Sequence, residues 1–245
     1  MARLKNRIAL VTGASRGIGY RTALALAKEG AHVLALGRTV GGLEELDDAI
    51  GTEAAEAGGS ATLIPLDVTD YDALDRLGAS IDERWGRLDI FIGNAGMLGG
   101  LTPLGHIEPK TFEKVLAINL TANWRLVRSL DPLLKASDAG RALLVSSGAA
   151  RSCKPFWGSY AISKAALEAL GKTWAAESAA SNLKVNLVNP GPVRTAMRAQ
   201  AMPGEDPDTL PPPSEVAAAF VELVLPSVTQ NGALYDVPSR SWKSA

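Results

Sequence analysis

The sequence predicts an α/β fold: one domain in which a mostly parallel sheet is covered by helices on both faces. Two observations lead there. Seven short runs rich in leucine or β-branched residues recur along the chain, IALVT (8–12), HVLAL (32–36), ATLIPL (61–66), LDIFIG (88–93), RALLVS (141–146), KVNLV (184–188) and a weaker ALYDV (233–237). Segments of helical length separate most of them, and strands alternating with helices build repeated β-α units around a parallel sheet. The runs are also apolar throughout rather than alternating, as strands buried on both faces are.

The helical segments are RTALALAKEG (21–30), LEELDDAIGTEAAEA (43–57), YDALDRLGASIDERW (71–85), TFEKVLAINLTANWRLVRSL (111–130) and SYAISKAALEALGKTWAAESAA (159–180). No linker or low-complexity tract divides the chain, so residues 1–245 read as a single doubly wound domain. Residues 196–213, AMRAQAMPGEDPDTLPPP, break the rhythm: they are rich in Pro and Met and show no clear periodicity. A loop of that length inside a compact domain is usually functional or disordered, and its place after a strand end suggests a substrate lid.

Bulk properties exclude several functions. With 245 residues, a net charge of -1 and 47% hydrophobic residues, the chain has ample material for a core. Near-neutral charge gives no electrostatic case for nucleic acid or an anionic membrane as partner. The lone Cys153 cannot close an internal disulfide, which suits a reducing, cytoplasmic setting. Cys153, His32 and His106 are too scattered for a zinc site, so no metal is expected. No apolar run approaches the roughly 18 residues of a membrane span. The start, MARLKNRIALVTGA, has basic residues ahead of apolar Ile8 to Val11. That stretch is shorter than the roughly 7–15 residues of a signal peptide's apolar region and reads as a first buried strand.

The stretch TGASRGIG (12–19) joins the first strand to the first helix, with Gly13, Gly17 and Gly19 spaced G-x-x-x-G-x-G. Glycines there permit a tight turn, close approach of backbone to a pyrophosphate and close helix–strand packing. The helix N-terminus adds free N–H groups and the positive end of a dipole. In Rossmann-type folds an acidic residue at the end of the second strand accepts hydrogen bonds from the adenosine ribose and repels a 2'-phosphate. Here HVLALGRT ends in Gly37 and Arg38, without a carboxylate, and Arg16 is placed to approach the same point. Two guanidiniums near a phosphoester point to NADP(H) rather than NAD(H).

Tyr160 and Lys164 are four residues apart, so they share one face of a helix. A free tyrosine has a pKa of ~10, and working near pH 7 requires about 4 kcal/mol of differential stabilisation. A nearby ammonium or an oxidised nicotinamide has the right sign to supply it. Alone, Y-x-x-x-K is a common amphipathic pair. Its weight comes from Ser147 thirteen residues earlier, Asn94 to Gly96 after the fourth strand, and Pro190-Gly191 after the sixth. These fall near strand C-termini, where open α/β sheets place ligands. Asn119, inside a helix where asparagine is mildly unfavourable, also suggests a polar task.

TGASRGIG, Asp67, NAG, Asn119, Ser147, YAISK and NPGPVRT stand in the order and approximate spacing of the short-chain dehydrogenase/reductase family, which the chain resembles over almost its whole length. SLDPLLKASDAG, WGSYAISK and VRTAMRAQAMPGEDP further resemble the YciK-like branch of that family. The resemblance implies a Rossmann-type, mostly parallel seven-stranded sheet of order 3-2-1-4-5-6-7. It implies an enzyme moving hydride between NADP(H) and a small carbonyl or secondary alcohol substrate. Tyr160 would be the general acid/base, and Lys164 would bind the nicotinamide ribose and lower the Tyr160 pKa. Ser147, selected over Ser146 by its family spacing to Tyr160, would hydrogen-bond the substrate oxygen. Asn119 would hold a water linking Lys164 to solvent.

The cofactor residues implied are Gly13, Ser15, Arg16, Gly17, Ile18 and Gly19 of the turn; Arg38; Asp67 and Val68 at the adenine; Asn94, Ala95 and Gly96; Tyr160 and Lys164; and Pro190, Gly191, Val193 and Thr195. Met97, Leu98, Phe156, Trp157, Pro192, Val193, Met197 and Met202 would flank a mostly apolar substrate, with Arg151 and Lys154 available to an anionic group or to water. A homodimer or homotetramer through the helices of Asn119 and Tyr160 is implied as well. Two other functions compete: a nucleotide-binding regulator with little turnover, and a sugar-nucleotide epimerase or dehydratase. The intact Asn119, Ser147, Tyr160 and Lys164 set disfavours the first. The short C-terminal region disfavours the second.

Overall fold

In a computed structural model that describes residues 2–243, the apolar run Ile8–Thr12 becomes β1, every residue of it buried. It is followed by α1 (Gly17–Lys28), β2 (His32–Gly37), α2 (Val40–Glu53), β3 (Ser60–Pro65) and α3 (Tyr71–Trp85). After β4 (Ile90–Gly93) come α4 (Pro109–Leu116), a π-helical turn (Ala117–Thr121) and α5 (Ala122–Ala136). The second half comprises β5 (Arg141–Val145), the short α6 (Ala149–Ser152), α7 (Gly158–Glu177), β6 (Lys184–Asn189), α8 (Ala196–Ala201), α9 (Pro213–Leu223), β7 (Leu234–Asp236) and β8 (Ser241–Lys243).

Among the described residues the strands form one sheet of order β3-β2-β1-β4-β5-β6-β7-β8. The first seven are parallel, in the expected order. β8 runs antiparallel to β7, with Trp242 and Tyr235 meeting edge-on at 5.2 Å. This eighth strand is an addition to the expected seven. Its three residues, SWK, are too short and polar for periodicity to reveal, and it covers what would be an open sheet edge. At the opposite edge β3 is only half-buried, so its apolar run does not mean burial on both sides.

Alternation along the strands divides the core. Ala9 and Val11 face a layer that includes Ala23 and Leu26 of α1, Leu43 and Leu46 of α2, and Phe220 of α9. Ile8 and Leu10 face Leu74 of α3, Leu130 of α5 and Trp174 of α7. Local signals set the helix ends. Asp70 caps α3 by accepting the Ala73 amide at 3.0 Å, and Gly86 ends it with φ 65. No helix among the described residues is long and apolar enough to cross a membrane.

The segment 196–213 is not the featureless loop its composition suggests. Thr195 caps α8 by accepting the Arg198 amide at 3.2 Å, and a 3-10 turn follows at Pro207–Thr209. Arg198–Glu205 and Arg194–Asp208 ion pairs brace it. Elements of six and three residues are too short to show a period.

Candidate active site

The C-terminal ends of β4, β5 and β6 and Ile18 of α1 converge on one cavity of about 480 Å³. On one side of it lies the glycine turn. Gly13 and Gly17 have φ of 68 and 60, and a Cβ on Gly19 would stand 2.2 Å from the Gly13 carbonyl oxygen. That close approach fixes α1 against the turn. Arg16, at the N-cap of α1, makes no capping bond with its side chain, and the first turn carries no acid. The amides at the helix start therefore keep their positive end for a ligand, which fits a pyrophosphate.

Thr12 bolts this turn to the next loop. Its hydroxyl accepts the Asn94 and Ala95 amides, each at 3.0 Å, while Asn94 Nδ2 donates to the Thr12 carbonyl at 2.8 Å. Arg38 Nη1 stands 3.4 Å from Asp67 Oδ2, so the two residues expected around the adenosine meet directly. Burial pushes Asp67 up, but the Thr69 amide and hydroxyl and the Arg38 guanidinium outweigh it and leave the carboxyl below its usual range. Val68 beside it is buried. Arg16 is exposed and has no carboxylate partner among the described residues.

Ser147, Tyr160, Lys164, Gly96, Asn94, Ile18, Pro190, Gly191, Val193 and Thr195 all line the cavity. Burial pushes the Tyr160 hydroxyl above its ordinary pKa, with a hydrogen bond to Ser147 opposing it. Lys164 is 3% exposed, donates to the Val145 carbonyl at 2.7 Å, and is pushed down by burial to about 8. Its Nζ lies 5.7 Å from the Tyr160 ring centroid. The expected lowering of Tyr160 by Lys164 is therefore not seen in the chain by itself. Desolvation dominates both groups, and the lysine's hydrogen bond goes to the end of β5 rather than to the phenol.

The side-chain amide of Asn119 is committed to protein. Oδ1 accepts the Met97 amide at 2.8 Å, and Nδ2 donates to the Met97 carbonyl and Ser163 Oγ, both at 2.9 Å. Ser163 in turn donates to the Tyr160 carbonyl at 2.8 Å. The π-helical turn presents this fully buried amide inward, tying the loop after β4 to α7.

The two serines after β5 separate cleanly. Ser146 is 1% exposed and gives its hydroxyl to Glu168 Oε1 at 2.7 Å. Ser147 is half-buried, and its Oγ accepts the Ala149 amide at 3.2 Å. Of the expected substrate-flanking residues, Leu98, Trp157, Pro192, Val193, Met197 and Met202 line the cavity. Met97 does not, and Phe156 lies 56% exposed in a neighbouring depression.

Sequence reasoning missed Thr12, Ser163, Glu168 and Asn189. Asn189 Oδ1 accepts the Gly148 amide at 3.0 Å and the Gly191 amide at 3.1 Å, while its Nδ2 donates to Asp236 at 2.7 Å. It thus clamps the Ser147 loop to the loop after β6. Thr12 and Asn189 sit inside stretches already singled out, TGASRGIG and NPGPVRT, so the signal was adjacency to a motif.

The family model for short chain dehydrogenase matches residues 7–206. An uncharacterized oxidoreductase, YciK of Escherichia coli, is 38% identical over 221 residues, covering 90% of this chain and 87% of that one. An uncharacterized NAD-dependent oxidoreductase of Mycobacterium tuberculosis is 38% identical over 206 residues, 79% of this chain and 74% of its own. A short chain dehydrogenase from Shigella flexneri, solved in complex with NADP, superposes with a TM-score of 0.91 at 36% identity, covering 97% of this chain and 99% of that one.

Proposed function

The chain belongs to the short-chain dehydrogenase/reductase family of NAD(P)-dependent oxidoreductases, and on that footing we propose that it interconverts a carbonyl compound and a secondary alcohol using NADP(H). One observation carries the reading: the Tyr160 hydroxyl and Ser147 line a single cavity with the buried ammonium of Lys164 at its base.

Bound NADPH would supply the hydride that reduces the carbonyl carbon. Tyr160 Oη gives its proton to the carbonyl oxygen in reduction and takes it back in oxidation. A phenol held above its ordinary pKa stays protonated, ready as an acid. Ser147 donates to the same oxygen, stabilising the charge that develops there. Lys164 would hold the nicotinamide ribose, and the Asn119 side chain positions α7 through Ser163. Gly13 to Gly19, Asn94 to Gly96 and Pro190 to Thr195 seat the cofactor. The Met-rich segment 196–213 closes over the substrate, with Met197 and Met202 already at the wall.

NADP(H) over NAD(H) rests on Arg38 and Arg16, and a solved structural relative is complexed with NADP. The name of the mycobacterial relative points the other way. Arg38 supports NADP(H): a guanidinium without a carboxylate ahead of it on β2 suits a 2'-phosphate. A homo-oligomer through α5 and α7 is supported by the exposed Trp124 and Ile162 on those helices. The first test is titration with NADPH and NADH, which needs no substrate. Clearly tighter NADPH binding supports the reading. Binding of neither cofactor overturns it.

A further inference from the structure

The walls of the cavity beyond Tyr160 are apolar, formed by Leu98, Trp157, Met197, Ala201 and Met202. Among the described residues no carboxylate lines it, while Lys154, Lys164 and Arg198 do. Two of these cations are already engaged. Lys164 donates to the Val145 carbonyl, and Arg198 holds Glu205 through bonds of 2.5 and 2.6 Å. Arg151, in α6 just before Lys154, stands 3.4 Å from Glu168. Lys154 differs: it is exposed, and among the described residues it forms neither an ion pair nor a hydrogen bond with another side chain.

The backbone around Lys154 is an independent observation. Cys153 and Phe156 bracket Lys154 and Pro155 with φ of 44 and 73, left-handed values that bulky residues avoid. Such strain persists only where the surroundings over-determine it, and it clusters at ligand-binding sites. Here the Thr102 amide holds the Phe156 carbonyl at 3.1 Å, and the Trp157 amide holds that of Lys154 at 3.3 Å. The loop is thus pinned in the shape that keeps Lys154 at the cavity wall.

We propose that the substrate is a carbonyl compound or secondary alcohol with an apolar body and an anionic group at its far end, and that Lys154 binds that anion. The proposal rests on the oxidoreductase reading of Tyr160 and Ser147. The apolar walls take the body of such a molecule by desolvation. The uncompensated ammonium takes its carboxylate or phosphate through a charge-assisted hydrogen bond.

The test is NADPH oxidation with paired ketones, each an aryl or straight-chain keto acid and its own methyl ester, using the wild-type chain, Lys154→Met and Lys154→Glu. Comparing acid with ester in one preparation cancels any loss of folded protein. The wild type is expected to favour the acid. Lys154→Met should cut the acid-to-ester ratio of kcat/KM about fivefold, through the KM of the acid, and Lys154→Glu should cut it further. An unchanged ratio in both variants overturns the proposal and leaves the reductase reading intact. If no pair turns over although NADPH binds, the carbonyl-reductase reading itself falls and takes this proposal with it.

Discussion

The two ends of the sheet bury charge in opposite ways. At the N-terminal end Asp89 is fully buried and saturated: it accepts the Ile8 amide at 2.8 Å, Ser137 Oγ at 2.6 Å, Arg7 at 3.1 Å and Arg87 at 3.3 Å. At the C-terminal end Lys164 is nearly as buried, yet it makes one hydrogen bond and sits beside a phenol that burial also disfavours charging. A saturated network rigidifies, whereas a buried ionisable group left with spare capacity is a place where a ligand can be bound and a proton moved. The lower network holds the strands in register so that the upper one can remain incomplete.

This contrast is open to direct attack, most strongly through the proton donor. Tyr160→Phe should cut turnover by about 1,000-fold while leaving NADPH affinity within about twofold and stability unchanged or slightly raised. Steady-state rates on a carbonyl panel, with a binding titration, check it. Near-normal turnover would remove Tyr160 from the chemistry.

Asp89→Ala should do the reverse. It leaves a buried void, orphans the Ile8 amide and takes one of two carboxylates from Arg7, which keeps Asp138, costing about 2–3 kcal/mol in chemical denaturation. The NADPH affinity of the folded fraction should hold. A loss of affinity without a loss of stability would dissolve the distinction between the two ends.

A smaller effect is expected at the adenosine end of the cofactor cleft. Arg38→Asp should raise the dissociation constant for NADPH about 30-fold more than that for NADH, or about 2 kcal/mol. Equal losses for both cofactors would show that Arg38 does not face the 2'-phosphate.

The smallest effect tests the burial of Lys164 itself. Its pKa is about 8 in the folded chain, against ~10.4 unfolded. Between those values the unfolded chain binds more protons, so stability from this residue rises with pH above about 8. Below about 8 the buried charge is a fixed penalty. The cofactor-free protein should gain about 1 kcal/mol between pH 8 and 9, a gain absent from Lys164→Met. A parallel pH profile in the two proteins would mean that Lys164 is better solvated than its burial indicates.

Much of this was legible before any coordinates. The alternation of apolar runs with helical segments placed the first seven strands, and α3 spans the expected 71–85. The glycine spacing and the Y-x-x-x-K pair needed only local geometry, because a turn or a helix face brings residues a few positions apart together. Ser147 was legible only through family spacing. Its separation from Ser146 became physical once Glu168 claimed the neighbour.

By itself the sequence determined the longer elements, their order along the chain and the residue types at the strand ends. Periods of two and 3.6 residues and the φ demands of glycine are short-range properties. Tertiary structure decided the partnerships. It gave Asn119 to Met97 and Ser163, Asn189 to Gly148 and Asp236, and Asp89 to Arg7 and Ser137. These bonds join residues 22 to 82 positions apart, and no local spacing encodes them. They follow from the requirement that every buried polar group find whatever partner the packed sheet brings within reach, and that requirement acts only once the chain has closed on itself.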